Sequence, residues 1–121
     1  MVVDVTDESF AADVLESELP CVILFTGSWC TWCPEMHERM EEASKAFEGE
    51  AKVCSIDIDT QNKLRIAFAV GTLPFIVLVR GGMRSPLFDE IVTVERLEER
   101  VRYALDGGKL PIEVPVRWNP A

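Results

Sequence analysis

The chain has 121 residues, 48% of them hydrophobic, with a net charge of −9 and a single histidine. That apolar share excludes a disordered chain, and the length suits one domain with its own core. The acidity argues against nucleic acid and anionic membrane surfaces as partners, because both select Lys and Arg.

Val2 to Val5 is short and β-branched and reads as a first strand. Thr6 is a good helix N-cap, and Asp7 and Glu8 suit the positive end of a helix dipole. Phe10 and Val14 fall at helical spacing, which predicts a helix to about Ser17, and Pro20 closes the connection. Cys21 to Phe25 is apolar throughout, as in a central strand buried on both faces. Gly27-Ser28 ends it, and Trp29-Cys30-Thr31-Trp32-Cys33-Pro34 follows. A helix starting near Cys30 would place Pro34 in or just past its first turn, where backbone N–H groups have little to lose. Met36, Met40, Ala43 and Phe47 then form an apolar stripe. Glu38, Glu41, Glu42 and Lys45 take the solvent side, and Gly49 suits the helix end.

Ala51 to Ile58 reads as the next strand. Asp59-Thr60 begins a helix with Leu64, Ala67 and Phe68 inward, and Gly71 ends it. Thr72-Leu73-Pro74 leads into a second apolar strand, Phe75 to Val79. Arg80-Gly81-Gly82-Met83 reads as a hairpin turn into Arg84 to Val92. Pro86 makes that partner an edge strand, because proline gives no N–H to a ladder. Thr93 caps a last helix with Val94, Leu97, Val101 and Leu105 on one face, stopped by Gly107-Gly108. Lys109 to Ala121 contains Pro111, Pro115 and Pro120 and is expected to be extended, with Trp118 as an anchor to the body. The predicted organisation is one domain, residues 1–108, with a tail, 109–121. The order β-α-β-α-β-α-β-β-α predicts an α/β fold, a mixed five-stranded sheet with helices on both faces.

Two cysteines separated by two residues at a strand-to-helix junction suit thiol–disulfide exchange. The first thiol can sit where helix N–H groups favour a thiolate, and the second lies about one turn on. Trp29 and Trp32 flank the pair and suit an apolar docking surface for extended peptide, with core packing as the alternative. Cys30, Cys33 and His37 can share one helix face, which opens a rival reading as a zinc site with Cys54 as a fourth ligand. Three ligands from one helix fall short of a structural site, so neither a metal nor any other cofactor is expected. Cys21 and Cys54 read as small buried hydrophobes.

The segments Val5-Thr6-Asp7-Glu8-Ser9-Phe10, Trp29-Cys30, Ile56-Asp57-Ile58-Asp59, Leu73-Pro74 and Arg80-Gly81-Gly82 stand in the register of the thioredoxin family, which the chain resembles over residues 2–106. The resemblance implies a thioredoxin-like fold and a thiol–disulfide oxidoreductase. Cys30 would be the exposed nucleophile and Cys33 the buried resolving thiol. Pro74 would be a cis-proline facing them, with Trp29, Thr31, Trp32, Leu73 and Pro74 meeting the substrate. The implied partners are proteins with disulfides or thiols, and a reductase or thiol relay as electron donor.

The chain also departs from that pattern. Thr31-Trp32 replaces Gly-Pro between the cysteines. Leu24 stands where the family has a buried aspartate, and Ser55 where its lysine neighbour lies. Glu35 stands in place of a frequent lysine, Glu38 in place of the helix proline, and Glu90, beside Asp89, in place of a groove glycine. Asp57 or Asp59 could relay the Cys33 proton instead. These departures motivate a second reading, a redox-weak thioredoxin-fold binding module for peptide or protein partners.

No apolar run approaches the roughly 20 residues of a membrane span, and Met1-Val2-Val3-Asp4 lacks the features of a secretory signal. A cytoplasmic protein is the simplest expectation, though a trimmed form of an exported one would read the same way.

Overall fold

The computed structural model describes residues 1–119; Pro120 and Ala121, the end of the expected tail, lie outside the described residues. The strands are β1 (Val2–Asp4), β2 (Cys21–Thr26), β3 (Lys52–Asp57), β4 (Phe75–Arg80), β5 (Met83–Phe88) and β6 (Val114–Pro115). The helices are α1 (Cys33–Ser44), α2 (Asn62–Ala67) and α3 (Val94–Leu105), with a π-type turn at Ala11–Leu15 and a 3-10 turn at Lys45–Phe47. The sheet order is β1-β3-β2-β4-β5-β6. β1, β3 and β2 run parallel, and β4, β5 and β6 are antiparallel to their neighbours. All five expected strands are present, and the tail adds a sixth.

β2 lies between β3 and β4, which explains its unbroken apolar run: Cys21 to Phe25 are all buried. Alternate residues point to opposite faces. Val22 and Leu24 join Met36, Met40, Phe47, Leu97 and Val101 beneath α1 and α3. Cys21, Ile23 and Phe25 join Phe10, Cys54, Ile56, Leu64 and Phe68 on the other face. Each large apolar side chain so buried stabilises the fold by about 1.5–3 kcal/mol.

Several boundaries differ from the sequence expectation, each for a local reason. Thr6 does cap: its hydroxyl accepts from the Ser9 N–H at 3.0 Å, and the Ser9 hydroxyl accepts from the Thr6 N–H at 2.9 Å. The first helix is nevertheless shorter than expected, a π-type turn that ends at Leu15. α2 starts at Asn62, later than Asp59, because Asp7 supplies its cap from across the molecule. The Asp7 carboxylate accepts from the Leu64 N–H at 3.0 Å and the Lys63 N–H at 3.3 Å. Thr93 caps α3, accepting from the Arg96 N–H at 3.1 Å.

β5 ends at Phe88, before the expected Val92, and a bulge offsets its register so that Val77 faces Pro86 while Ile76 faces Phe88. β6 pairs only with Met83 and Arg84, so Pro86 still lies on an open edge. Trp118 anchors the tail as expected, its ring centroid 4.8 Å from that of Phe10. The Val116 N–H donates to the Gly82 carbonyl at 2.8 Å, and Leu110 is buried beneath α3. Among the described residues no helix is long and apolar enough to cross a membrane.

Candidate active site

The chain leaves β2 at Thr26 and does not enter α1 until Cys33, so the helix starts one turn later than a start near Cys30 would give. Trp32 is the N-cap and Pro34 lies within the first two helical positions, where its missing N–H costs nothing. The link from Gly27 to Trp32 is held at both ends. The Ser28 N–H donates to Asp59 Oδ2 at 2.7 Å, and the Cys30 N–H donates to the Gly27 carbonyl at 3.1 Å. The Ser28 N–H in turn holds the Asp59 carboxyl below the usual carboxylate range. Asp57 Oδ1 accepts from the Asp59 N–H at 2.9 Å. Both acids considered as proton relays are therefore engaged in fixing the loop.

Cys30 and Cys33 are joined by a disulfide, with Cα atoms 5.4 Å apart. Cys30 is 8% exposed and Cys33 3%. The order is as expected, but Cys30 is far less open than an exposed nucleophile would be. Trp29 and Trp32 are 61% and 54% exposed, so neither indole is core packing. Thr31 between them is exposed as well. The Leu73–Pro74 bond is cis, Pro74 is buried and Leu73 half-buried.

Gly27 brings these parts together and was missed in the sequence as more than a strand end. A methyl group there would lie 2.9 Å from Leu73 Cδ1 and 3.3 Å from Trp29 Nε1. Leu73 and Trp29 thus pack over bare backbone beside the disulfide. The only sequence signal was a glycine directly after a buried strand, where close approach of another group is one of its uses.

A cleft of about 270 Å³ opens beside the disulfide, lined by Thr26, Gly27, Ser28, Cys30, Cys33, Pro34 and His37. His37 thus shares this cleft with the two cysteines, but Cys54 lies on the opposite face of the sheet. Among the described residues no three His, Cys, Asp or Glu side chains are placed to hold a metal ion. Leu24 is fully buried among aliphatic side chains under α1. The Ser55 hydroxyl donates to Asp4 Oδ1 at 3.2 Å. Glu90 faces away from the cleft, 3.8 Å from Arg96 in an exposed ion pair, and lines a separate depression with Asp89, Phe88 and Tyr103.

A disulfide seated at a helix N-terminus, beside an open cleft and two solvent-facing indoles, is a group that a second thiol can reach and break. Fold and site together define the class: a thiol–disulfide oxidoreductase. Comparison with known proteins agrees. The Thioredoxin family profile matches residues 1–103. Thioredoxin of Rickettsia typhi is 37% identical over 82 residues, 68% of this chain and 78% of that protein. A bifunctional thioredoxin reductase/thioredoxin of Mycobacterium leprae is 34% identical over 80 residues, 66% of this chain and 18% of that protein. A crystal structure of chloroplastic thioredoxin z superposes with a TM-score of 0.76 at 19% identity, covering 88% of this chain and 96% of that one. The chain belongs to the thioredoxin family.

Proposed function

We propose that the protein exchanges its Cys30–Cys33 pair with disulfides of other proteins through a mixed disulfide. The Cys30 thiolate attacks a substrate disulfide, joining Cys30 to one substrate sulfur and releasing the other as thiolate. The Cys33 thiolate then attacks Cys30, closing the Cys30–Cys33 bond and releasing the second substrate sulfur. The substrate gains two electrons, and the two protons of the dithiol end on its sulfurs. Trp29, Thr31, Trp32, Leu73 and Pro74 form the docking surface. The observation that carries this reading is the disulfide at the start of α1, beside the exposed indoles of Trp29 and Trp32.

A reductase is the electron donor this reading favours, supported by the Mycobacterium leprae relative in which both activities share one name. A membrane thiol relay is the other donor of matching chemistry. The reading places the protein in the cytoplasm, with residues 1–108 as the catalytic body and 109–121 as an appended strap.

Insulin reduction with dithiothreitol tests the activity. The expected result is acceleration over reductant alone, and no acceleration overturns the enzyme reading. Cys33→Ser is expected to trap substrates on Cys30. Equal trapping by Cys30→Ser would reverse the nucleophile assignment. The second reading, a binding module with weak turnover, is favoured by one observation: Leu24, fully buried where the family carries an acid.

A further inference from the structure

We propose that His37 is the proton acceptor that ionises the Cys33 thiol in the step that resolves the mixed disulfide. The inference rests on the exchange reading above and assigns the base that this reading lacks.

The need follows from elementary chemistry. A thiolate, not a thiol, attacks a disulfide, so Cys33 must lose its proton before it can resolve the mixed disulfide. Cys33 is 3% exposed, and bulk water has little access to it. The sheet under α1 presents Val22, Leu24 and Ile76, all aliphatic and buried, so no base reaches it from below. Neither Asp59 nor Asp57 lines the cleft, each accepting a backbone N–H within the loop instead, and Ser55 donates to Asp4.

Among the described residues one basic side chain lines the cleft beside the cysteines. His37 is half-buried and lines the same cleft as Cys30 and Cys33. It follows Cys33 by four residues on α1, a spacing that sets Cβ atoms about 5–6 Å apart on one helix face. The other walls, Thr26, Gly27, Ser28 and Pro34, carry no charge. A further turn along the same face stands Glu41. Its carboxylate accepts from the Val2 N–H at 3.0 Å and lies 3.4 Å from the Met1 ammonium. It is also close enough to His37 for their charges to interact. Cys33, His37 and Glu41 therefore run along one line of α1, from the reacting sulfur to a carboxylate tethered to β1. An imidazole ring nitrogen can take a proton and return it within one turnover.

The step balances. Neutral His37 takes the Cys33 proton, the Cys33 thiolate forms the bond to Cys30, and the electron pair of the broken bond leaves on the substrate sulfur. That sulfur is protonated by the imidazolium or by water, and His37 returns to its neutral form.

The test is acid-quenched mass spectrometry of the reduced full chain mixed with a peptide carrying one disulfide. It reads separately the formation of the Cys30 mixed disulfide and its decay. In His37→Ala, formation is expected to stay within twofold of the parent. Decay is expected to slow by at least tenfold and to recover with added imidazole. His37→Gln, which keeps a polar side chain of similar size, should slow decay equally. Decay within twofold of the parent in both variants overturns the proposal, as does an equal fall in formation and decay without imidazole rescue. If the parent chain forms no mixed disulfide at all, it is the exchange reading that fails.

Discussion

The molecule carries two cysteine pairs, and the fold treats them in opposite ways. Cys30 and Cys33 lie at a loop–helix junction with Cα atoms 5.4 Å apart, inside the window a disulfide needs. Cys21 and Cys54 lie on adjacent parallel strands and face the same side of the sheet. Cys21 pairs with Lys52, and Cys54 with Ile23, so the two are diagonal neighbours. Both thiols are free and fully buried. They do sense each other: a hydrogen bond from Cys54 lowers Cys21 to about 7, while the same bond and burial push Cys54 up. Contact between thiols is therefore not enough for exchange. A turn that can close on itself, and a path for the attacking sulfur, separate the reactive pair from the inert one.

The largest test of this contrast is activity. Cys30→Ser is expected to lower insulin reduction by about a thousandfold or more, since the other thiol on the cleft, Cys33, is only 3% exposed. Cys21→Ser and Cys54→Ser should retain turnover within twofold. Their cost should appear in urea unfolding as about 1–3 kcal/mol, the penalty for a hydroxyl in an apolar site. A loss of turnover in Cys21→Ser at full stability would break the contrast.

Next comes the environment behind the reactive pair. Leu24→Asp sets a carboxyl among Val22, Met36 and Met40 and is expected to cost about 3 kcal/mol or more at pH 7. The cost should shrink in acid, where the buried carboxyl is neutral. A variant as stable as the parent at pH 7 would show that this face tolerates charge.

A smaller effect is expected at Gly27, where an added methyl group displaces Leu73 or Trp29. Gly27→Ala should lower kcat/KM for a disulfide peptide by about two- to tenfold with little change in unfolding, because the nearest atom belongs to a flexible side-chain end. Equal loss in stability and activity would place Gly27 with the core instead.

The smallest is the pH signature of Asp59. Its folded carboxyl titrates below its unfolded value because it accepts from the Ser28 N–H. The stabilisation it provides is complete above the ordinary carboxylate range and is lost as pH falls through the lower folded value. Asp59→Asn should flatten that part of the acid limb, and hydrogen exchange at Ser28 should then lose its pH dependence there.

The contrast was partly legible in sequence. The unbroken run from Cys21 to Phe25 announced a buried strand and hence an inert Cys21, and the two-residue gap between Cys30 and Cys33 announced the reactive pair. Local signals also placed Thr6, Pro34, Thr93 and Trp118 correctly, since caps, first-turn prolines and aromatic anchors act over a few residues or by burial alone. Contacts that join distant segments were hidden. Asp7 capping α2, Asp59 clamping Ser28, and Leu73 with Trp29 packed over Gly27 each need the fold before they exist. His37 was noticed as a ligand candidate, but its place in the cleft depends on where α1 starts, and that start came one turn later than expected.

The short sixth strand has a consequence for how copies of the chain meet. An open sheet invites a neighbour wherever a long strand leaves its N–H and C=O groups unpaired, and this is how folded proteins seed aggregates. Here one edge is the three-residue β1, and the other is the two-residue β6, half of it Pro115. Beyond β6, the stretch of β5 left uncovered contains Pro86, which has no N–H to offer. Among the described residues neither rim presents a long open ladder, so the segment that pairs as β6 shortens the open edge as well as holding Trp118 against Phe10.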